Sequence, residues 1–326
     1  MGRVMVLVGM MVVLGAVGGC GATRTAGPEP TLPRAIHGAD APGPHLIVLG
    51  IAQDAGVPQI GTDHPAFTDP RQRRLAVCLG LAAGEQRWLV EATPDIKWQL
   101  HRLHRFAPVD RRPGLDGVFV THAHIGHYTG LMMLGHEAMG AHDIPVYAMP
   151  RMATFLRNNG PWSQLVRKKN IDLRVLRAGE PVPLTPELSV TPFLVPHRQE
   201  YSEVVGFRIQ GPRRAALFLP DIDSWREWDE AGTHLEDVLA TVDVAFVDAT
   251  FFDNGEIPGR DMSTFPHPFI RTTMRRLAPL PAIERAKIHF IHLNHTNPAL
   301  DPNGDAAKEI RERGFHVAFE GQWLEL

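Results

Sequence analysis

The stretch Leu115-Asp116-Gly117-Val118-Phe119-Val120-Thr121-His122-Ala123-His124-Ile125-Gly126-His127 decides how this chain is read. The apolar run up to Val120 predicts a strand, and period-two alternation past its end puts His122 and His124 on one side. A turn at Gly126 then brings in His127 at the start of a helix predicted over Tyr128–Met139. Three neutral imidazoles converging from a strand end and a helix start suit a Zn²⁺ that keeps one position open for water. The chain has 17 His in 326 residues, so spacing alone is weak evidence. The strand-then-helix setting carries the reading.

Outward from this motif, polar residues recur where apolar runs end. His197 follows Leu194-Val195-Pro196, Asp221 and Asp223 follow Leu217–Pro220, Asp248 follows Val244–Val247, and His292 and His295 follow Ile288–Ile291. A rigid scaffold presents a site in this way, on the ends of strands. Asp223, ahead of Ser224-Trp225-Arg226, is read instead as a helix N-cap. His292 is read as a core or supporting residue inside a strand over Lys287–Leu293.

Strands are predicted at His45–Ile51, Arg74–Leu81 and Arg87–Glu91, followed by a helix with Thr93 as N-cap and Pro94 at its first position. Further strands are expected at Pro145–Met149, Ile171–Leu176, Leu188–Val195, Val204–Gln210, Ala215–Leu219, Val242–Val247 and Phe315–Phe319. Helices are expected at Met152–Asn158, near Pro268–Leu277 and over Gly304–Arg313. The alternation predicts an α/β fold, an αββα sandwich of two mixed β-sheets flanked by helices. Long loops at Gln53–Arg73 and Phe251–Pro268 are where binding residues are expected.

The N-terminus reads as a targeting segment. Arg3 precedes the apolar stretch Val4–Val17, and Val17-Gly18-Gly19-Cys20 has the form of a lipobox. Residues 1–20 are therefore expected to be a lipoprotein signal peptide, with Cys20 lipidated and 21–44 a flexible tether. The domain over 45–326 would then sit outside the cytoplasm, lipid-anchored in a bacterial cell envelope. Cys78, the other of the 2 cysteines, falls in an apolar run and reads as a small core residue. A net charge of −3 with mixed signs argues against a nucleic-acid partner and leaves a small-molecule substrate. The clusters Arg71/Arg73/Arg74 and Arg167/Lys168/Lys169 read as solvated faces.

From His45 onward the chain resembles the metallo-β-lactamase superfamily, whose motif is His-x-His-x-Asp-His followed by distant His, Asp and His ligands. More narrowly it resembles the pyrroloquinoline quinone biosynthesis B family. The matching segments are Leu49–Gln59, Thr93–Ile96, Gly130–Glu137, Val146–Ala148 and Asn294-His295-Thr296-Asn297-Pro298. Asp248-Ala249-Thr250-Phe251, with His267 downstream, is also similar to a motif of the superfamily's phosphodiesterase branch. The resemblance implies a first metal on His122, His124 and His197, a bridging Asp221, and a second metal on His127 and His295. Gly126 stands where the family has Asp, so the second site is expected to be weak or empty unless Asp54 or His267 substitutes.

The implied function is metal-assisted hydrolysis of an ester, phosphodiester or similar small substrate. One or two Zn ions are expected, with Fe or Mn as other occupants. Asp221 would orient or deprotonate the attacking water and His267 would protonate the leaving group. Arg198 suits an anionic substrate group, and Asp54 is a further candidate substrate contact. Two alternatives follow from the same residues. One is an iron oxygenase serving cofactor biosynthesis, and the other a non-catalytic, metal-binding scaffold. The anchor is directly testable. Cys20→Ser should release the protein from membranes in a fractionation experiment, and unchanged membrane association would overturn the lipobox reading.

Overall fold

The computed structural model describes residues 43–326. The signal segment, Cys20 and nearly all of the tether lie outside the described residues. Two seven-stranded sheets pack face to face. The first has the order β14-β1-β2-β3-β4-β5-β6 and the second β13-β12-β11-β10-β9-β8-β7. In the first, β1 (His45–Gly50), β2 (Cys78–Ala83) and β3 (Gln86–Val90) run antiparallel. β4 (Gly117–Phe119), β5 (Ile144–Ala148) and β6 (Ile171–Val175) follow β3 in parallel. The second sheet repeats the plan. β7 (Val182–Thr185), β8 (Leu188–Leu194), β9 (Val205–Gln210) and β10 (Ala215–Leu219) are antiparallel neighbours. β11 (Val244–Asp248), β12 (Ile288–Ile291) and β13 (His316–Val317) then join β10 in parallel. The C-terminal β14 (Trp323–Glu325) returns to pair with β1 in the first sheet.

Strand alternation explains the layers. On β1, Leu46 and Val48 face the core between the sheets, which also holds Leu79, Val90, Phe119, Phe207, Phe218 and Phe246. Ile47 and Leu49 point the other way, into a second core with Val118 and Val146. That second core is closed by α1 (Ile96–Phe106) through Ile96, Leu103 and Phe106, and by α3 (Pro150–Asn158) through Met152 and Leu156. Between them lie α2 (Ile125–Tyr128) and a 3₁₀ stretch, Thr129–Leu134, and after them α4 (Trp162–Arg167). The second sheet is flanked by α5 (Trp225–Glu230), α6 (Leu235–Leu239), α7 (Ile270–Leu277), α8 (Ala282–Arg285) and α9 (Asp305–Glu312).

The αββα architecture agrees with the sequence reading, whereas two local details differ. The long helix expected over Tyr128–Met139 is one α-turn followed by 3₁₀ turns. Gly130 explains the tight geometry, since a Cβ there would lie 2.1 Å from the Thr93 carbonyl oxygen. At α1 the N-cap is Asp95 and not Thr93. The Thr93 hydroxyl accepts from Asp95 N–H and donates to Gln99 Oε1, bracing the turn one step ahead of the helix.

The outer edge of the second sheet carries an acid-sensitive contact. His289 on β12 stacks on His316 at 4.9 Å, and its Nδ1 accepts from Gln322 Nε2 at 3.0 Å. Burial, with the neighbouring His316, lowers its pKa from 6.5 to about 4. A folded value below the unfolded one means stability is lost as pH falls through 6.5 towards 4. His289→Gln should remove on the order of 2 kcal/mol from the parent's acid destabilisation, read as a smaller drop in Tm between neutral and mildly acidic buffer. An unchanged pH profile would exclude this source.

Candidate metal centre

The residues that follow the strands of both sheets converge in one cluster. His122 and His124 leave β4, His127 stands on α2, and His197 follows β8. Asp221 follows β10, Asp248 closes β11, and His292 follows β12. Asp221 is buried at the centre. Its oxygens lie 2.9 Å from His127 Nε2, 3.5 Å from His292 Nε2 and His267 Nδ1, and 3.8 Å from His122 Nε2 and His197 Nε2.

Two ligand groups flank this carboxylate. His122, His124 and His197 form one; Asp54, His127 and His292 form the other; in each, the donor atoms lie within 4.8 Å of one another. Asp221 also groups with His122 and His127, and with His267 and His292, so it stands where a bridging ligand would.

Each imidazole is aimed by a partner on its far nitrogen. His122 Nδ1 donates to the Thr121 hydroxyl at 2.8 Å, and that hydroxyl donates to buried Glu91. His292 Nδ1 donates to Thr250 Oγ1 at 2.9 Å, which donates to buried Asp248 at 2.8 Å. Glu91 also takes His127 Nδ1 at 3.1 Å, Asp223 takes His197 Nδ1 at 2.7 Å, and Glu200 takes His124 Nε2 at 3.1 Å. These contacts fix the tautomers and leave one lone pair of each ring facing inward.

The inward atoms are short of protons. His122 Nε2 and His292 Nε2 are buried without a hydrogen-bond partner, and Asp221 Oδ2 meets only His127 Nε2, at 2.9 Å. Unsatisfied buried acceptors cost about 1–3 kcal/mol each, so their convergence calls for a cation. Burial works against a charged His127, yet Asp221 and Glu91 hold its pKa well above the usual imidazole range. Burial likewise opposes ionised Asp221, but His292 and His127 keep its carboxyl well below the carboxylate range. A nitrogen- and oxygen-donor set of this kind fits a divalent transition metal.

Backbone strain collects at the same place. Asp54, Glu91, His267 and His292 have φ of 36°, 89°, 84° and 67°, conformations that L-residues rarely adopt. Each costs of order 1–3 kcal/mol and persists only where surrounding contacts over-determine it.

Several expectations change here. His295, expected as a second-site ligand, stands apart. Its Nδ1 pairs with Asn294 Oδ1 at 2.7 Å, and it lines a separate polar cavity of about 450 Å³ with His64, Arg74 and Asp301. The strand ends at Ile291, so His292, previously read as core, is the residue that turns into the centre. Asp223 is not the N-cap of α5. Ser224 is, leaving Asp223 to hold His197.

Gly126 also reads differently. A Cβ there would lie 2.3 Å from both Cα and Oδ1 of Asp54, so Asp54 fills the space of the absent motif carboxylate. Asp54 Oδ1 lies 3.7 Å from His127 Nε2, among the metal-ligand candidates and not simply at a substrate surface.

His267 Nδ1 donates to Asp248 Oδ2 at 2.7 Å, and Arg198 is exposed in the loop after His197. Glu91 has no role in the sequence reading, although it carries the same signal as the others, a polar residue closing the apolar run Trp88–Val90.

Asp54→Ala should cut metal content relative to the parent chain, measured by elemental analysis. Gly126→Asp should fail to raise it, because the new carboxylate collides with Asp54. A rise in metal content for Gly126→Asp would overturn the substitution of one aspartate by the other.

Comparison with known proteins places this geometry in context. The sequence profile of the β-lactamase superfamily domain matches residues 86–293. Coenzyme PQQ synthesis protein B of Xanthomonas campestris pv. campestris is 25% identical over 309 residues, covering 86% of this chain and 99% of that protein. The protein of the same name from Methylorubrum extorquens is 24% identical over 313 residues, covering 86% of this chain and 100% of its own length. Among solved structures, Zn(2+)-bound PqqB from Methylobacterium extorquens superposes with a TM-score of 0.72 at 22% identity, covering 86% of this chain and 100% of that one. A diphosphatase from the PhnP family gives 0.62 at 21% identity, covering 87% and 97%.

Proposed function

Because the chain belongs to the metallo-β-lactamase superfamily, we propose that it is a zinc-dependent hydrolase of small anionic esters, phosphodiesters foremost. It would use two ions and work from a lipid anchor at Cys20 in the cell envelope. The observation that carries this reading is the His267–Asp248 pair beside Asp221. His267 also belongs to a ligand-capable group with Asp221 and His292, but its Nδ1 is taken by Asp248, which leaves Nε2 for a proton to a leaving group.

His122, His124 and His197 would hold one ion, and Asp54, His127 and His292 the other, with Asp221 shared between them. Bound there, Zn²⁺ supplies Lewis acidity and lowers the pKa of a water towards neutrality. The protein's own groups do the rest. Asp221 accepts and orients the proton side of the nucleophile. Burial alone would discharge His267, but Asp248, hydrogen-bonded to its Nδ1, holds its pKa at about 9. It is therefore protonated at neutral pH and can give its proton to a departing alkoxide or phenoxide. Arg198 makes no ion pair among the described residues and supplies a free cation for a phosphate oxygen or a carboxylate.

Similarity to the PQQ synthesis proteins along nearly their whole length supports a second reading, an iron-dependent oxidation in cofactor biosynthesis. Metal identity separates the two.

The test is turnover of aryl phosphodiesters with graded leaving groups by the metal-loaded chain. His267→Ala should lower kcat by about 10²-fold or more for poor leaving groups and much less for p-nitrophenolate, which needs little protonation. An equal loss across the series would remove His267 as the acid. Full zinc loading with no ester hydrolysis would favour a scaffold, and predominant iron the oxidative reading.

A further inference from the structure

The loop between His197 and β9 holds an aromatic side chain in the open beside the metal-ligand groups. Tyr201 is 61% exposed. Its place in the site is fixed on both sides. The preceding residue, Glu200, bonds metal-ligand candidate His124, and the following residue, Ser202, accepts from Ala123 N–H at 2.9 Å. Tyr201 is thus one residue away from a contact to each of Ala123 and His124.

The loop is not a loose flap. Arg151 Nη2 donates to the Gln199 carbonyl at 2.7 Å, and Arg151 N–H donates to Glu203 at 3.0 Å. The ring itself packs on Phe155 at 5.3 Å, which packs in turn on Tyr128 and Trp162, each at 5.6 Å. Tyr128 adjoins His127, so the aromatic cluster is tied at both ends to residues next to metal-ligand candidates. Ile125, directly after His124, is 69% exposed on the same segment. An exposed aromatic ring backed by a second ring is a ready-made stacking surface, since little side-chain freedom is lost when it is covered.

Building on the ester-hydrolase reading above, we infer that Tyr201, backed by Phe155, stacks against an aromatic group of the substrate. Arg198, three residues earlier, takes the anionic group. The substrate class is then an aryl-bearing anionic ester, with the ring held on the side of His124 and Glu200. Tyr201 is a specificity-determining residue and takes no part in the bond-breaking step.

Equilibrium binding tests this without relying on turnover. The metal-loaded full chain is titrated with phenylphosphonate and with methylphosphonate by calorimetry. The parent should bind the phenyl compound roughly tenfold more tightly. Tyr201→Ala should reduce that preference to about twofold, and Tyr201→Phe should keep it. Equal affinity for the two phosphonates in the parent, no binding of either, or a preference undiminished in Tyr201→Ala would overturn the proposal. Aryl preference without any ester hydrolysis would sustain this surface while removing the hydrolase reading.

Discussion

One buried carboxylate governs this molecule. Asp221 sits with its oxygens within 3.8 Å of five imidazoles, from His122, His127, His197, His267 and His292. An ionised aspartate out of water costs several kcal/mol unless opposite charge surrounds it. Imidazoles that keep their lone pairs inward cannot repay that cost by themselves. The centre is therefore coherent only with positive charge in it, whether protons or metal ions, and the outer partners of each ring are arranged for the second case.

Those outer partners tie the ligands to one another. Glu91 aims His127 directly and His122 through Thr121, so one carboxylate serves both metal-ligand groups. Asp248 aims His292 through Thr250 and also charges His267, which links a ligand to the proposed acid. The two Thr-to-carboxylate relays sit at corresponding places, one at the strand ends of each sheet. Positive φ at Glu91, His267 and His292 is tolerated because these bonds leave the backbone no relaxed alternative.

The sandwich explains why the ligands come from so many separate segments. Each sheet is antiparallel in one half and parallel in the other, and the parallel halves direct their carboxyl ends to the same edge. Side chains just beyond those ends are held by a rigid sheet and converge on one buried cluster. The loop with Arg198, Glu200 and Tyr201 is added at this edge and fastened by Arg151 and Ala123, which separates substrate selection from metal holding.

Much of this was legible in the chain itself. Apolar runs of strand length, buried on both faces, alternate with helical segments, and that pattern dictates the layers. The cluster of His122, His124 and His127 was legible as a motif, although β4 ends at Phe119 and the first two histidines stand in the turn ahead of α2. His197, Asp221 and Asp248 were visible as polar residues closing apolar strands. What tertiary structure decided were matters of register and distance. A strand ending at Ile291, one residue ahead of His292, sends that residue and not His295 into the centre, and no local pattern sets this to one position. The replacement of a carboxylate at Gly126 by Asp54 is a contact between segments 72 residues apart, so the sequence shows only the loss. Local periodicity is written along the chain, whereas which groups share a buried charge depends on how distant strand ends are brought together.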